Sequence, residues 1–145
     1  MGDKEVVALL GGRKALGVTK TTRLSLADAI RRGFPPDSLE RLAETLGLNL
    51  QEMANAVGLS TKTLSRRRKH PGRPLGAVES DRLYRLAVVF ARAQEVFEDD
   101  EVAREWLHTP QVGLGGRVPL EVLSTGAGAR EVEDLLGRID YGVLS

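Results

Sequence analysis

Cysteine is absent from this 145-residue sequence, which excludes disulfides, thiol nucleophiles and cysteine-based zinc sites together. Histidine occurs only as His70 and His108, too few and too far apart for a metal site. No apolar run reaches membrane-spanning length, and the opening residues lack the basic-then-apolar order of a signal peptide. No segment alternates apolar and polar residues for long enough to read as a strand. These absences lead us to expect a soluble, cytoplasmic, all-α protein that uses no metal or cofactor and touches no membrane.

The formal net charge is only +1, but it is unevenly distributed. Residues 1–78 hold 14 Lys+Arg against 7 Asp+Glu, whereas residues 79–145 hold 7 against 13. A basic half suits phosphates, and an acidic half implies a different partner. The length allows one domain or two small modules that share surfaces.

Local signals divide the chain further. Residues 1–20 carry an apolar stretch, Val6 to Leu10, interrupted by Gly11 and Gly12, which reads as a short helix in a partly flexible segment. Ser25 with Asp28 resembles a helix cap with a first-turn acid, and that helix ends near Gly33. Pro35 and Pro36 break the chain. A helix after Asp37 places Leu39, Leu42, Ala43 and Leu46 at helical spacing and stops at Gly47. Asn49 with Glu52 is a capping box for the next helix, which runs to Val57. Residues 70–76 are the clearest linker. Leu83, Leu86, Ala87, Phe90 and Ala93 define one face of a long helix over 78–97. Short helices then follow the acidic turn 98–101 and Pro119, and Thr125 caps a last helix that includes Ile139.

Residues 50–69 have the spacing of a helix-turn-helix. Ala54 permits close helix approach, Gly58 suits a turn with positive φ, and Met53, Val57, Leu59 and Leu64 supply the packing. A second helix starting at Ser60 presents Ser60, Thr61, Lys62, Thr63 and Arg66 to a DNA groove. Lys62 and Arg66 are candidate guanine readers, and Arg67, Arg68, Lys69 and Arg73 suit phosphates. Arg67 stands where an apolar residue is commoner, so its stem is expected to cross the core edge with its charge on a phosphate. From Leu59 to Arg73 there are six basic residues and no acid. These features point to operator DNA as a partner.

The acidic half offers no assembly of nucleophile and base. Its carboxylates cluster at helix starts, where the helix dipole favours them. Trp106 is expected to fill core. Gly113, Gly115 and Gly116 around Leu114, followed by Arg117, form an unusual exposed turn suited to a partner contact.

The run Gly113-Leu114-Gly115-Gly116-Arg117-Val118-Pro119-Leu120-Glu121-Val122-Leu123 resembles the central motif of Xre/MbcA/ParS-type antitoxins. The ending from Gly128 to Val143, the stretch Glu79 to Leu86, and Trp106-Leu107 with Pro110 resemble the same family. The likeness covers nearly the whole chain. It implies an Xre-like helix-turn-helix bundle over 21–76 and a helical toxin-binding and dimerisation domain over 77–145. It further implies a RES-domain, NAD-degrading toxin as partner, neutralised by the C-terminal region, and autorepression of the operon. Carried onto this sequence, the candidate toxin contacts are Gly115, Gly116, Arg117, Pro119, Arg130, Glu133, Arg138 and Tyr141, within a segment running to Ser145. Val118 replaces a common threonine and Gln111 a common asparagine, and the 70–74 linker also departs from the family pattern.

Two function classes follow. One is a non-enzymatic antitoxin and autorepressor, working as a homodimer inside a toxin–antitoxin complex. The other is a free-standing dimeric transcriptional regulator whose C-terminal module only dimerises, with the 78–97 helix as the dimer element. A small enzyme has little support in these residues.

Overall fold

Leu83, Leu86, Ala87, Val89, Phe90 and Ala93 are all buried along one helix of 21 residues, Ala77–Phe97. The computed structural model describes residues 2–142 and builds them around this helix. In chain order the helices are α1 (Asp3–Leu9), α2 (Arg13–Leu16), α3 (Arg23–Arg32), α4 (Pro36–Leu46), α5 (Leu50–Val57), α6 (Thr61–Arg68), α7 (Ala77–Phe97), α8 (Asp100–His108), α9 (Pro119–Val122) and α10 (Gly126–Asp140). A single 3-10 turn, Val112–Leu114, lies between α8 and α9. No strand occurs among the described residues, and the fold is all-α. Helix α7 packs against α10, α3, α8, α1 and α5, so one apolar helix serves both halves. Burying each large side chain such as Leu86 or Phe90 contributes about 1.5–3 kcal/mol.

Most helix ends follow local chemistry. The Asn49 side chain accepts from Glu52 N at 2.8 Å while Glu52 Oε1 accepts from Asn49 N at 3.0 Å, completing the capping box. Asp99 accepts from Val102 N, and Thr125 from Gly128 N, both at 3.0 Å. The acidic turn thus opens α8 as a cap and first-turn acids.

Two starts differ from the sequence reading. Helix α3 begins a turn earlier, at Arg23, because Thr22 Oγ1 accepts from Ser25 N at 3.1 Å. Ser25 is then the third helical residue rather than the cap. Helix α4 begins at Pro36, whose missing N–H and fixed φ suit a first helical position. Asp37 lies inside the first turn, where its Oδ2 accepts from Arg41 Nε at 2.6 Å.

The N-terminal segment and the 70–76 linker are both anchored. Val6, Val7 and Leu10 are buried, and α1 packs on α7 and α4. Leu75 is buried, and its N–H donates to Phe34 O at 2.8 Å. A Cβ on Gly33, at φ +96°, would lie 2.0 Å from Leu75 O, so only glycine permits this crossing. The two buried polar side chains among the described residues seal the same region. Ser38 Oγ donates to Leu10 O at 2.5 Å, and Ser80 Oγ accepts from Phe34 N at 2.8 Å. Trp106 is only half-buried, tilted against Phe97 with ring centroids 5.7 Å apart, so it edges the core instead of filling it.

Candidate functional site

The helix-turn-helix is formed by α5 and α6. Met53, Ala54, Val57 and Leu64 are buried between them and their neighbours, with Leu59 partly buried. Gly58 turns the chain at φ +70°, and Leu59 N donates to Ala54 O at 2.9 Å. Ser60 caps α6: its Oγ accepts from Thr63 N at 3.0 Å and donates to Thr63 Oγ1 at 2.8 Å. The hydroxyls of Ser60 and Thr63 therefore hold the start of the helix in place, and Thr61 stands half-exposed beside them.

Tertiary contacts sort the basic residues of α6 into two groups. Lys62, Arg66 and Lys69 are exposed, form no ion pair among the described residues, and share one face by their i, i+4, i+7 spacing. Arg73 is also exposed, in the linker. Arg67 and Arg68 are instead held by carboxylates of other helices, Arg67 part-buried and Arg68 still exposed. Arg67 Nε and Nη2 donate to Glu79 Oε2 and Oε1 at 2.9 and 2.8 Å, and Arg68 pairs with Glu40 of α4. Arg67, expected on a phosphate, is engaged here in a fork-to-fork pair, because Glu79 lies within reach at the start of α7. The missing apolar residue in the motif is replaced by this pair.

The second surface centres on the 113–117 turn. Gly115 and Gly116 have φ of +67° and +84°, values that favour glycine. Gln111 N donates to Arg117 O at 3.0 Å, and Gly116 N to Gln111 O at 2.9 Å. Leu114 plugs into the core below, Arg117 Nη1 donates to Leu114 O at 3.1 Å, and Val112 projects from the turn at 87% exposure. The Gln111 side chain secures the base by donating to Trp106 O and Thr109 O.

The proposed toxin contacts do not form one cluster. Gly115, Gly116 and Arg117 are exposed on the turn, whereas Pro119 is buried as the first residue of α9. Helix α10 lines two separate hollows. Ala127, Gly128 and Glu131 line a groove of about 390 Å³ with Gly113, Leu114, Arg117 and Val122. Arg130 and Glu133 face a separate cleft of about 330 Å³ that Arg23, Asp81 and Tyr84 also line. Burial raises the Glu133 carboxyl above its ordinary pKa, the Asp134 charge adds to this, and Arg130 and Arg92 oppose it. The Tyr84 hydroxyl in the same cleft is raised chiefly by burial, with the Asp3 charge adding to it. Arg138 is half-buried and Tyr141 is 84% exposed at the end of α10. The remainder of the Arg130-to-Ser145 segment, residues 143–145, lies outside the described residues. Glu131 falls within the Arg130-to-Ser145 segment singled out from the sequence, whereas Val112 on the turn and Ala127 in the groove were not.

The halves grip each other through polar contacts. Arg82 Nη1 donates to Gly58 O at 3.1 Å and Arg104 Nη1 to Thr45 O at 3.2 Å. His108 Nε2 lies 3.4 Å from Glu52 Oε2. No group of acids and histidines suited to a metal occurs among the described residues, and no helix there is long and apolar enough to cross a membrane.

Comparison with known proteins finds matches to two domains along the chain. Residues 25–88 match the antitoxin Xre-like helix-turn-helix domain, and residues 92–142 match the antitoxin Xre/MbcA/ParS C-terminal toxin-binding domain. The Antitoxin Xre of Yersinia enterocolitica is 35% identical over 133 residues, covering 91% of this chain and 89% of that protein. The Antitoxin Xre of Pseudomonas putida is 34% identical, covering 78% and 69% respectively. The fold resembles a chain in the crystal structure of the M. tuberculosis MbcT-MbcA toxin-antitoxin complex. That match has a TM-score of 0.58 and 24% identity, covering 76% of this chain and 96% of that one. With a helix-turn-helix, a matching C-terminal domain and similarity along nearly its whole length, this chain belongs to the Xre family of antitoxins.

Proposed function

We propose that the chain binds and neutralises a RES-domain, NAD-degrading toxin through its C-terminal half, and represses its own operon through α6. The observation that carries this reading is the rigid, exposed 113–117 turn, which lies inside the region matching a toxin-binding domain. Such a turn meets a partner without first being ordered, which lowers the entropic cost of binding. The chain acts by occlusion and brings no chemistry of its own.

On DNA, Lys62 and Arg66 face the bases, while Lys69 and Arg73 neutralise phosphates. A homodimer would set two copies of α6 about one helical turn of DNA apart, roughly 34–36 Å. The complex works in the cytoplasm, where both operon and NAD are found.

Co-expression with the RES gene of the same operon tests the proposal. The expected result is co-purification of the two proteins, restored growth and preserved NAD. Neither association nor rescue would overturn it and leave a free-standing regulator.

A further inference from the structure

We propose that the groove between the 113–117 turn and the start of α10 receives one apolar side chain of the toxin. A toxin carboxylate would lie against Arg117 and a toxin cation against Glu131. This inference rests on the toxin-binding reading and names the contact that reading leaves open.

The groove has an apolar and a charged lining. Leu114, Val122 and Ala127 supply the apolar part, and Arg117 and Glu131, both exposed, bring opposite charges to it. Gly113 and Gly128 also line it, and Gly128 cannot carry a side chain, since a Cβ there would lie 1.7 Å from Val122 O. An apolar pocket with a few placed polar groups is the usual form of an anchor site, with burial giving affinity and charge giving orientation.

Its position also favours the toxin as occupant. Every lining residue lies within the 92–142 region that matches the toxin-binding domain. Val112 stands on the same turn, giving a second apolar contact beside the groove. The turn is fixed by its glycine conformations and by the Gln111–Arg117 hydrogen bonding, so the groove exists before the partner arrives.

The full chain and the RES toxin of its operon provide the test, with affinity measured by calorimetry. Ala127→Trp fills the groove from an exposed position and should weaken binding at least about 30-fold. Glu131→Arg should weaken it about tenfold. Thermal melts check folding, and if Ala127→Trp melts early, the exposed Glu131→Arg variant decides. Unchanged affinity in the folded tryptophan variant, or in Glu131→Arg where that variant decides, overturns the groove but leaves the antitoxin reading intact. No binding by the parent chain overturns both.

Discussion

Arg67 and Glu79 form a two-hydrogen-bond ion pair that ties the recognition helix to the first turn of α7. Glu79 Oε1 also accepts from Gly76 N at 3.2 Å, so one carboxylate serves both the pair and the start of α7. Its side chain is 11% exposed and that of Arg67 30%. Removing one partner of a pair so little exposed leaves the other charge poorly solvated. Arg67→Ala and Glu79→Gln should each lower stability by about 1–3 kcal/mol in urea unfolding. The double variant should lose less than their sum; strict additivity would show that the pair contributes nothing.

The sorting of basic residues on α6 predicts unequal effects on DNA. Arg66→Ala should weaken operator binding by about 1–3 kcal/mol, measured by fluorescence anisotropy at fixed salt. Lys69→Ala should reduce the salt slope by about one unit. Arg67→Ala should leave that slope unchanged, because Glu79 already holds its charge. A reduced slope for Arg67→Ala would place this residue on a phosphate after all.

Ser80 predicts a cost without any change of charge. Its Oγ accepts the Phe34 N–H in a fully buried contact. Ser80→Ala leaves that donor without a partner and should cost about 1–3 kcal/mol. Thermal unfolding would read this as a lower midpoint, and an unchanged midpoint would mean that Phe34 finds another acceptor.

Glu133 gives the fold a pH dependence of known sign. Burial and then Asp134 raise its folded pKa above the ordinary carboxyl value. Its ionisation therefore opposes folding: the favourable state exists below the unfolded pKa and is lost as pH rises through the folded one. Glu133→Gln should melt at higher temperature than the parent at about pH 7, with the gap narrowing towards about pH 4. A gap that widens in acid would reverse the assignment.

The sequence by itself determined the all-α class, the helix-turn-helix and most helix boundaries. Asn49, Gly58, Ser60, Asp99 and Thr125 act through hydrogen bonds or backbone angles within a few residues, so their roles are written locally. Where two local signals competed, as with Thr22 and Ser25, sequence could not choose, because either side chain can cap a helix one turn apart.

Tertiary structure alone decided which charges are free. Arg66 and Arg67 are neighbours, yet one faces solvent and the other Glu79, since a helix rotates successive residues by about 100°. Likewise, only the packing of α10 against the 113–117 turn put Glu131 on the same groove as Arg117 and Arg130 on a separate cleft. Sequence carries the residue types and their periodicity, whereas the partner of a long charged side chain depends on which distant element lies within its reach.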